Sequence, residues 1–140
     1  MYNRITIIGY LGKDPESRTV GANNTTLTKF SVATSERLGN DKEGKRIEHT
    51  EWFNVECWGK LGEIAQNYLT KGGRVLITGT LRTETYKDKF NVDQKYTKVV
   101  AQDLVLLTPK GEAGERNPKR ELPDLPGGSD DEEGDLNDVI

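Results

Sequence analysis

Trp52 and Trp58 stand six residues apart in EWFNVECWGK, residues 51–60, and are the only tryptophans of the chain. If this stretch is a β-strand, Phe53, Val55 and Cys57 share one face, and Trp52, Asn54, Glu56 and Trp58 share the other. The first set supplies a core-facing side. Both indoles then fall on the side expected to meet water, beside an amide and a carboxylate. A flat ring held in solvent can stack on another flat π-system. Lys60 follows on the same parity, and in RVLITGTLRTETY, residues 74–86, one parity gathers Arg74, Arg82 and Tyr86.

Rings interleaved with cations suit a polyanion that carries unpaired flat bases. Cations release the counterions condensed on phosphates, and each base stacked on a ring contributes about 1–3 kcal/mol. Two polar stretches extend the set: 37–49 carries Arg37, Lys42, Lys45 and Arg46, and 87–94 carries Lys87, Lys89 and Phe90. Phe90 is a further stacking candidate. Duplex DNA offers no free base faces, and a duplex reader would carry a basic recognition helix. A second explanation of the tryptophans is packing against another copy, in a non-catalytic assembly module. A third is an RNA-binding protein, since the same groove accepts either sugar.

Catalytic chemistry finds no support. The one histidine, His49, lies among charged residues with no partner for a metal, and Gly72-Gly73 is not a phosphate-cradling loop. The single cysteine, Cys57, excludes an internal disulfide, and its parity makes it a small buried hydrophobe. The expectation is a protein that is not an enzyme and takes no cofactor or metal.

These side chains need a scaffold. RITIIGYLG (4–12) and TTLTKFSVATSE (25–36) have strand composition, and KDPE between them is a turn. The stretch 37–49 is a long polar loop leading into the tryptophan strand. Leu61, Ile64, Ala65, Tyr68 and Leu69 then recur with helical period, and Gly72 stands where a left-handed C-cap is wanted. Residues 74–86 and 95–107 return to β composition, with Gly79 marking a bulge or tight bend. Strand, strand, strand, helix, strand, strand is the order of an all-β, five-stranded OB-fold barrel with one short helix between its third and fourth strands. Other small antiparallel barrels fit the same pattern.

Charge divides the chain of 140 residues. Residues 1–110 carry 17 Lys and Arg against 13 Asp and Glu, and residues 111–140 carry 3 against 10, so a body of +4 and a tail of −7 make up the net −3. The overall acidity therefore does not argue against a polyanionic partner. The expected division is a barrel domain over 1–109 and a disordered acidic tail over 110–140, rich in Gly, Pro, Asp and Glu. The N-terminus shows no signal-peptide pattern, and no apolar run is long enough to span a bilayer. A cytoplasmic, nucleoid-associated protein without membrane contact is expected.

GYLGKDPE (9–16), ATSE (33–36), TEW (50–52), GKL (59–61), YLTKG (68–72) and TGTLRTETY (78–86) occur in an order and spacing that resemble the bacterial single-stranded DNA-binding protein family over residues 1 to about 108. The resemblance implies an OB fold, a homotetramer, and the coating of single-stranded DNA without sequence preference during replication, recombination and repair. By position, Trp52, Trp58 and Tyr86 fall where the family stacks bases, with Trp58 in place of a more usual Phe and Tyr86 in place of a Trp. Arg4, Lys60, Lys71 and Arg82 match basic positions that approach the backbone, and Phe53 lies near the family's subunit contact. Leu38 replaces a Trp, and Asn54 replaces a cation. The tail resembles family tails that end in Asp-Asp-Ile-Pro-Phe and dock on replication and repair proteins. Asp135, Asp138, Val139 and Ile140 would be the docking residues here.

Overall fold

Ile5, Ile7 and Leu11 alternate with Thr6, Ile8 and Tyr10 to build β1 (Ile5–Leu11), the first strand of a computed structural model that describes residues 1–108. KDPE is a corner rather than an end. Beyond it β2 (Glu16–Val20) pairs with β3 (Thr25–Asn40), as β1 does. Leu11 lies opposite Val32 and Glu16 opposite Lys29, so the corner places two extra residues in an otherwise continuous antiparallel ladder. The unexpected strand β2 is thus the second half of the first barrel strand. Its sequence, ESRTV, has one large apolar residue and gives no alternating signal.

The remaining elements are β4 (Arg46–Trp58), α1 (Lys60–Tyr68), β5 (Arg74–Lys87) and β6 (Asp93–Leu106). Pairings run β1–β5–β6–β4–β3 and return from β3 to β1, which closes a five-stranded OB barrel and removes most of its free edges. All are antiparallel except β4–β6, which meet in parallel at Val55–Val99 and Glu56–Val100. The bulge expected at Gly79 is present, but the extra residue, Gln102, is on β6. The alternation along β5 is therefore unbroken.

Both polar stretches expected as long loops are instead ladders that run on past the barrel. β3 and β4 stay paired to Asn40–Arg46, with Leu38 bulged out, and β5 and β6 to Lys87–Asp93. The two tips are built alike. Asp41 Oδ1 accepts the backbone N–H of Glu43 and Lys45 (2.9 and 2.7 Å), and Asp88 Oδ1 accepts those of Phe90 and Val92 (2.9 and 3.0 Å). Gly44 and Asn91 take the left-handed turn position, with φ 80° and 60°. The backbone N–H of Val92 is the main cause holding the Asp88 carboxyl below its ordinary pKa.

Ile7, Leu11, Phe30, Val32, Val55, Cys57, Val75, Ile77 and Val99 fill the barrel, and Ala65 of α1 and Leu69 just after it join them. A nine-residue helix is marginal alone, so this burial holds it. Gly72 has φ 81° but does not cap α1. The helix ends at an extended Leu69, and Gly72 serves the next turn, closed by Gly73 N–H donating to the Thr70 carbonyl (3.0 Å). Cys57 is fully buried, and desolvation, then the neighbouring Glu56 charge, push its thiol up to about 12. Among the described residues no helix is long and apolar enough to cross a membrane. The tail, with Asp135, Asp138, Val139 and Ile140, lies outside the described residues.

Candidate nucleic-acid interface

Directly paired residues of neighbouring strands point to the same side of a sheet, so the register places each candidate. Trp52 pairs with Ala33, Ala33 with Tyr10 and Tyr10 with Arg74, which forms one row across β4, β3, β1 and β5. The next rows up β4 are Asn54–Ser31, then Glu56–Lys29–Glu16, then Trp58–Leu27–Arg18. All are on the outer side of the sheet, where Leu27, Ala33 and Glu56 are nevertheless buried. On the other flank Lys98 pairs with Arg82, Tyr96 with Glu84 and Gln94 with Tyr86. Lys98 Nζ donates to Glu56 Oε1 (3.0 Å) and so joins this flank to the tryptophan strand.

The two indoles are therefore on one face, about 20 Å apart along β4 at roughly 3.3 Å per residue. They are not equally bare. Trp58 is 44% exposed, whereas Trp52 is half-buried, its ring lying over Gly12 so closely that a Cβ there would come within 2.5 Å of it. Tyr86 is exposed on the outer strip. Phe90 is 78% exposed at the β5–β6 tip, with Lys89 Nζ 5.9 Å from its ring centroid.

The expected cations are all exposed, but they do not form one cluster. Arg82 is on the strip, and Arg74 is in the Trp52 row. Lys60 follows Trp58 as the first residue of α1. Lys71 stands beside the corner, where its backbone N–H donates to Asp14 Oδ1 (2.7 Å). Arg4 follows Asn3, whose side-chain amide is pinned to the Leu81 backbone (2.9 and 3.3 Å), next to Arg82. Lys87 lies near the β5–β6 tip, 3.7 Å from Asp93, an exposed pair of small energetic weight.

One expectation is overturned. Glu56 does not face water. It is 3% exposed beneath an ionic network in which Oε1 meets Lys98 at 3.0 Å and Lys29 at 3.7 Å, while Lys98 also meets Glu84 at 2.9 Å. Two cations and two carboxylates cancel, and Glu16, beside Lys29 in the same row, offsets Arg82, so the middle of the face is electrically balanced. Lys29, Tyr96 and Lys98 were not among the sequence candidates. Tyr96 and Lys98 share one face of β6, and only the parallel β4–β6 pairing brings that face beside Glu56.

The model of the single-strand binding protein family matches residues 2–107. A single-stranded DNA-binding protein of Neisseria meningitidis serogroup B is 40% identical over 110 residues, covering 79% of this chain and 62% of the relative. Single-stranded DNA-binding protein 1 of Chlorobaculum tepidum is 40% identical over 113 residues, covering 80% and 68%. The chain thus matches less than two thirds of the length of the meningococcal relative. Among solved structures, a Plasmodium falciparum SSB complex with ssDNA superposes with a TM-score of 0.70 at 23% identity, over 77% of this chain and 97% of that one, and so shares the fold.

Proposed function

The chain belongs to the single-strand binding protein family, and from that premise we propose that it binds and protects single-stranded DNA during replication, recombination and repair. Bases stack on Trp52, Trp58, Tyr86 and Phe90. Arg4, Lys60, Lys71, Arg74, Arg82 and Lys87 meet the phosphates around them. The observation that supports this most directly is that Trp52 and Trp58 occupy one outer face whose rows also hold Arg74, Tyr10 and Arg18. Binding by stacking needs no reaction, which fits a protein that is not an enzyme and acts in the cytoplasm at the nucleoid.

Titration with oligo(dT), followed by tryptophan emission, tests the proposal. Strong quenching is expected with oligo(dT) and none with duplex DNA, and the affinity should fall as salt rises. Emission indifferent to oligo(dT) removes the proposal, and tighter binding to oligo(U) turns it toward RNA. Residues 110–140 are proposed as an acidic tail whose Asp135, Asp138, Val139 and Ile140 dock on replication and repair proteins. The −7 tail also competes with DNA for the +4 body, so the same titration without residues 111–140 should give tighter binding at low salt and no difference at high salt.

The homotetramer is proposed on the row next to Tyr10–Arg74 on the outer side of β1 and β5. Ile8, Leu76 and Val105 form one row across the outer side of β1, β5 and β6, with Ile8 46% and Val105 44% exposed. Such a row is covered when copies meet. Sedimentation should show four chains for the wild type and a smaller species for Ile8→Glu/Val105→Glu. An unchanged mass in the folded variant places the contact elsewhere.

A further inference from the structure

Lys29 stands between two carboxylates. On β3 it is the register partner of Glu56 on one side and of Glu16 on the other. The two do not act alike, because Glu16 is exposed and screened by water and salt, whereas Glu56 is buried, where charges are felt more strongly. Lys98, its side chain only 9% exposed, already donates to Glu56 Oε1 at 3.0 Å. Glu56 Oε2 is buried and has no hydrogen-bond partner among the described residues, so the carboxylate is short of donors. Lys29 answers that shortage by charge, at 3.7 Å. Its side chain is 32% exposed, in the row next to Trp58–Leu27, so of the two lysines on Glu56 it is the one open to a phosphate.

We propose that Glu56 is an internal counter-anion that holds Lys29 back from the phosphates of a bound strand and so limits affinity. The inference rests on the single-strand binding proposed above. A solvated phosphate competes for the Lys29 ammonium with a carboxylate in a low-dielectric site, and a lysine that turned to the phosphate would leave Glu56 with one cation and an unmet oxygen. Lys29 therefore stays with Glu56. Beside Trp58 the strand is then held by the ring and not by charge, and no counterion is released at this position. Removing the carboxylate charge frees a lysine that is already in place to add one phosphate contact.

The test measures the affinity of the full chain for oligo(dT) as a function of salt, in a double-variant cycle. Each phosphate neutralised on a single strand adds about 0.7 to the slope of log affinity against log salt, which is about fivefold for each tenfold dilution of salt. Glu56→Gln keeps Oε1 as an acceptor for Lys98, which also keeps Glu84, so the barrel stays folded. This variant should show the steeper slope and bind about fivefold more tightly than wild type at low salt. Adding Lys29→Met should abolish both gains, whereas Lys29→Met alone should leave the wild-type slope unchanged. Glu56→Met, which has no hydrogen-bonding oxygen, should reproduce the gain and so makes the result independent of the Gln side chain. A Glu56→Gln slope equal to wild type overturns the inference, and so does a gain that survives Lys29→Met, which is the response to net charge alone. A flatter slope in Lys29→Met alone means that the lysine already serves a phosphate, and overturns it too. All three outcomes leave single-strand binding intact, while a wild type that does not bind oligo(dT) removes the underlying function and this inference with it.

Discussion

Replacing both Trp52 and Trp58 with alanine lowers the affinity for oligo(dT) by a hundredfold or more while the barrel stays folded. At about 1–3 kcal/mol per stacked base, two rings account for roughly 2–6 kcal/mol, and a hundredfold is about 2.7 kcal/mol. The fold survives because neither indole belongs to the core cluster, which Phe30, Val55 and Cys57 fill from the inner face. The two single variants should differ. Trp58 is free to act as a platform, so Trp58→Ala loses affinity with little loss of stability. Trp52 also packs on Gly12, so Trp52→Ala loses both. Unchanged affinity in a folded double variant, measured by anisotropy of labelled oligo(dT), would falsify the stacking mechanism.

How much of this was legible in the sequence depended on how local the causes were. The alternation in EWFNVECW is local, and it placed Val55 and Cys57 in the core and both tryptophans outside. The helical period of Leu61, Ile64, Ala65 and Leu69 is local too, and α1 lies within two residues of where it was expected. The hairpins are hidden because charged, glycine-containing runs resemble loops by composition. Two paired strands in solvent need no apolar face when cross-strand partners such as Ser35–Thr50 and Thr83–Thr97 hydrogen-bond each other. Leu38, which takes the place of a family Trp, is the bulged residue of the first hairpin, a detail of register that composition does not carry. The burial of Glu56 depends on Lys98, 42 residues away, through the one parallel pairing in the barrel. No pattern within β4 announces that partner.

That buried network carries the second large expectation: Lys98→Met destabilises the barrel by about 3 kcal/mol in urea unfolding. Removing one partner of a buried ion pair leaves the other charge desolvated, which costs about 3–5 kcal/mol. The lower end applies because Lys29 remains 3.7 Å from Glu56. The double variant Glu56→Gln/Lys98→Met should recover most of the loss, since no lone charge is left under the sheet. Burial alone would lower the Lys98 pKa, but its hydrogen bonds to Glu84 and Glu56 outweigh desolvation and hold it above the ordinary 10.5. A pKa raised in the folded state means that the contribution of Lys98 is complete below about 10.5 and is lost as pH rises through the higher folded value. The stability gap between wild type and Lys98→Met should therefore be constant near neutrality and narrow only in strong alkali. A variant as stable as wild type at neutral pH would show that Lys29 alone neutralises Glu56, and the balanced centre of the binding face would then rest on Lys29 instead.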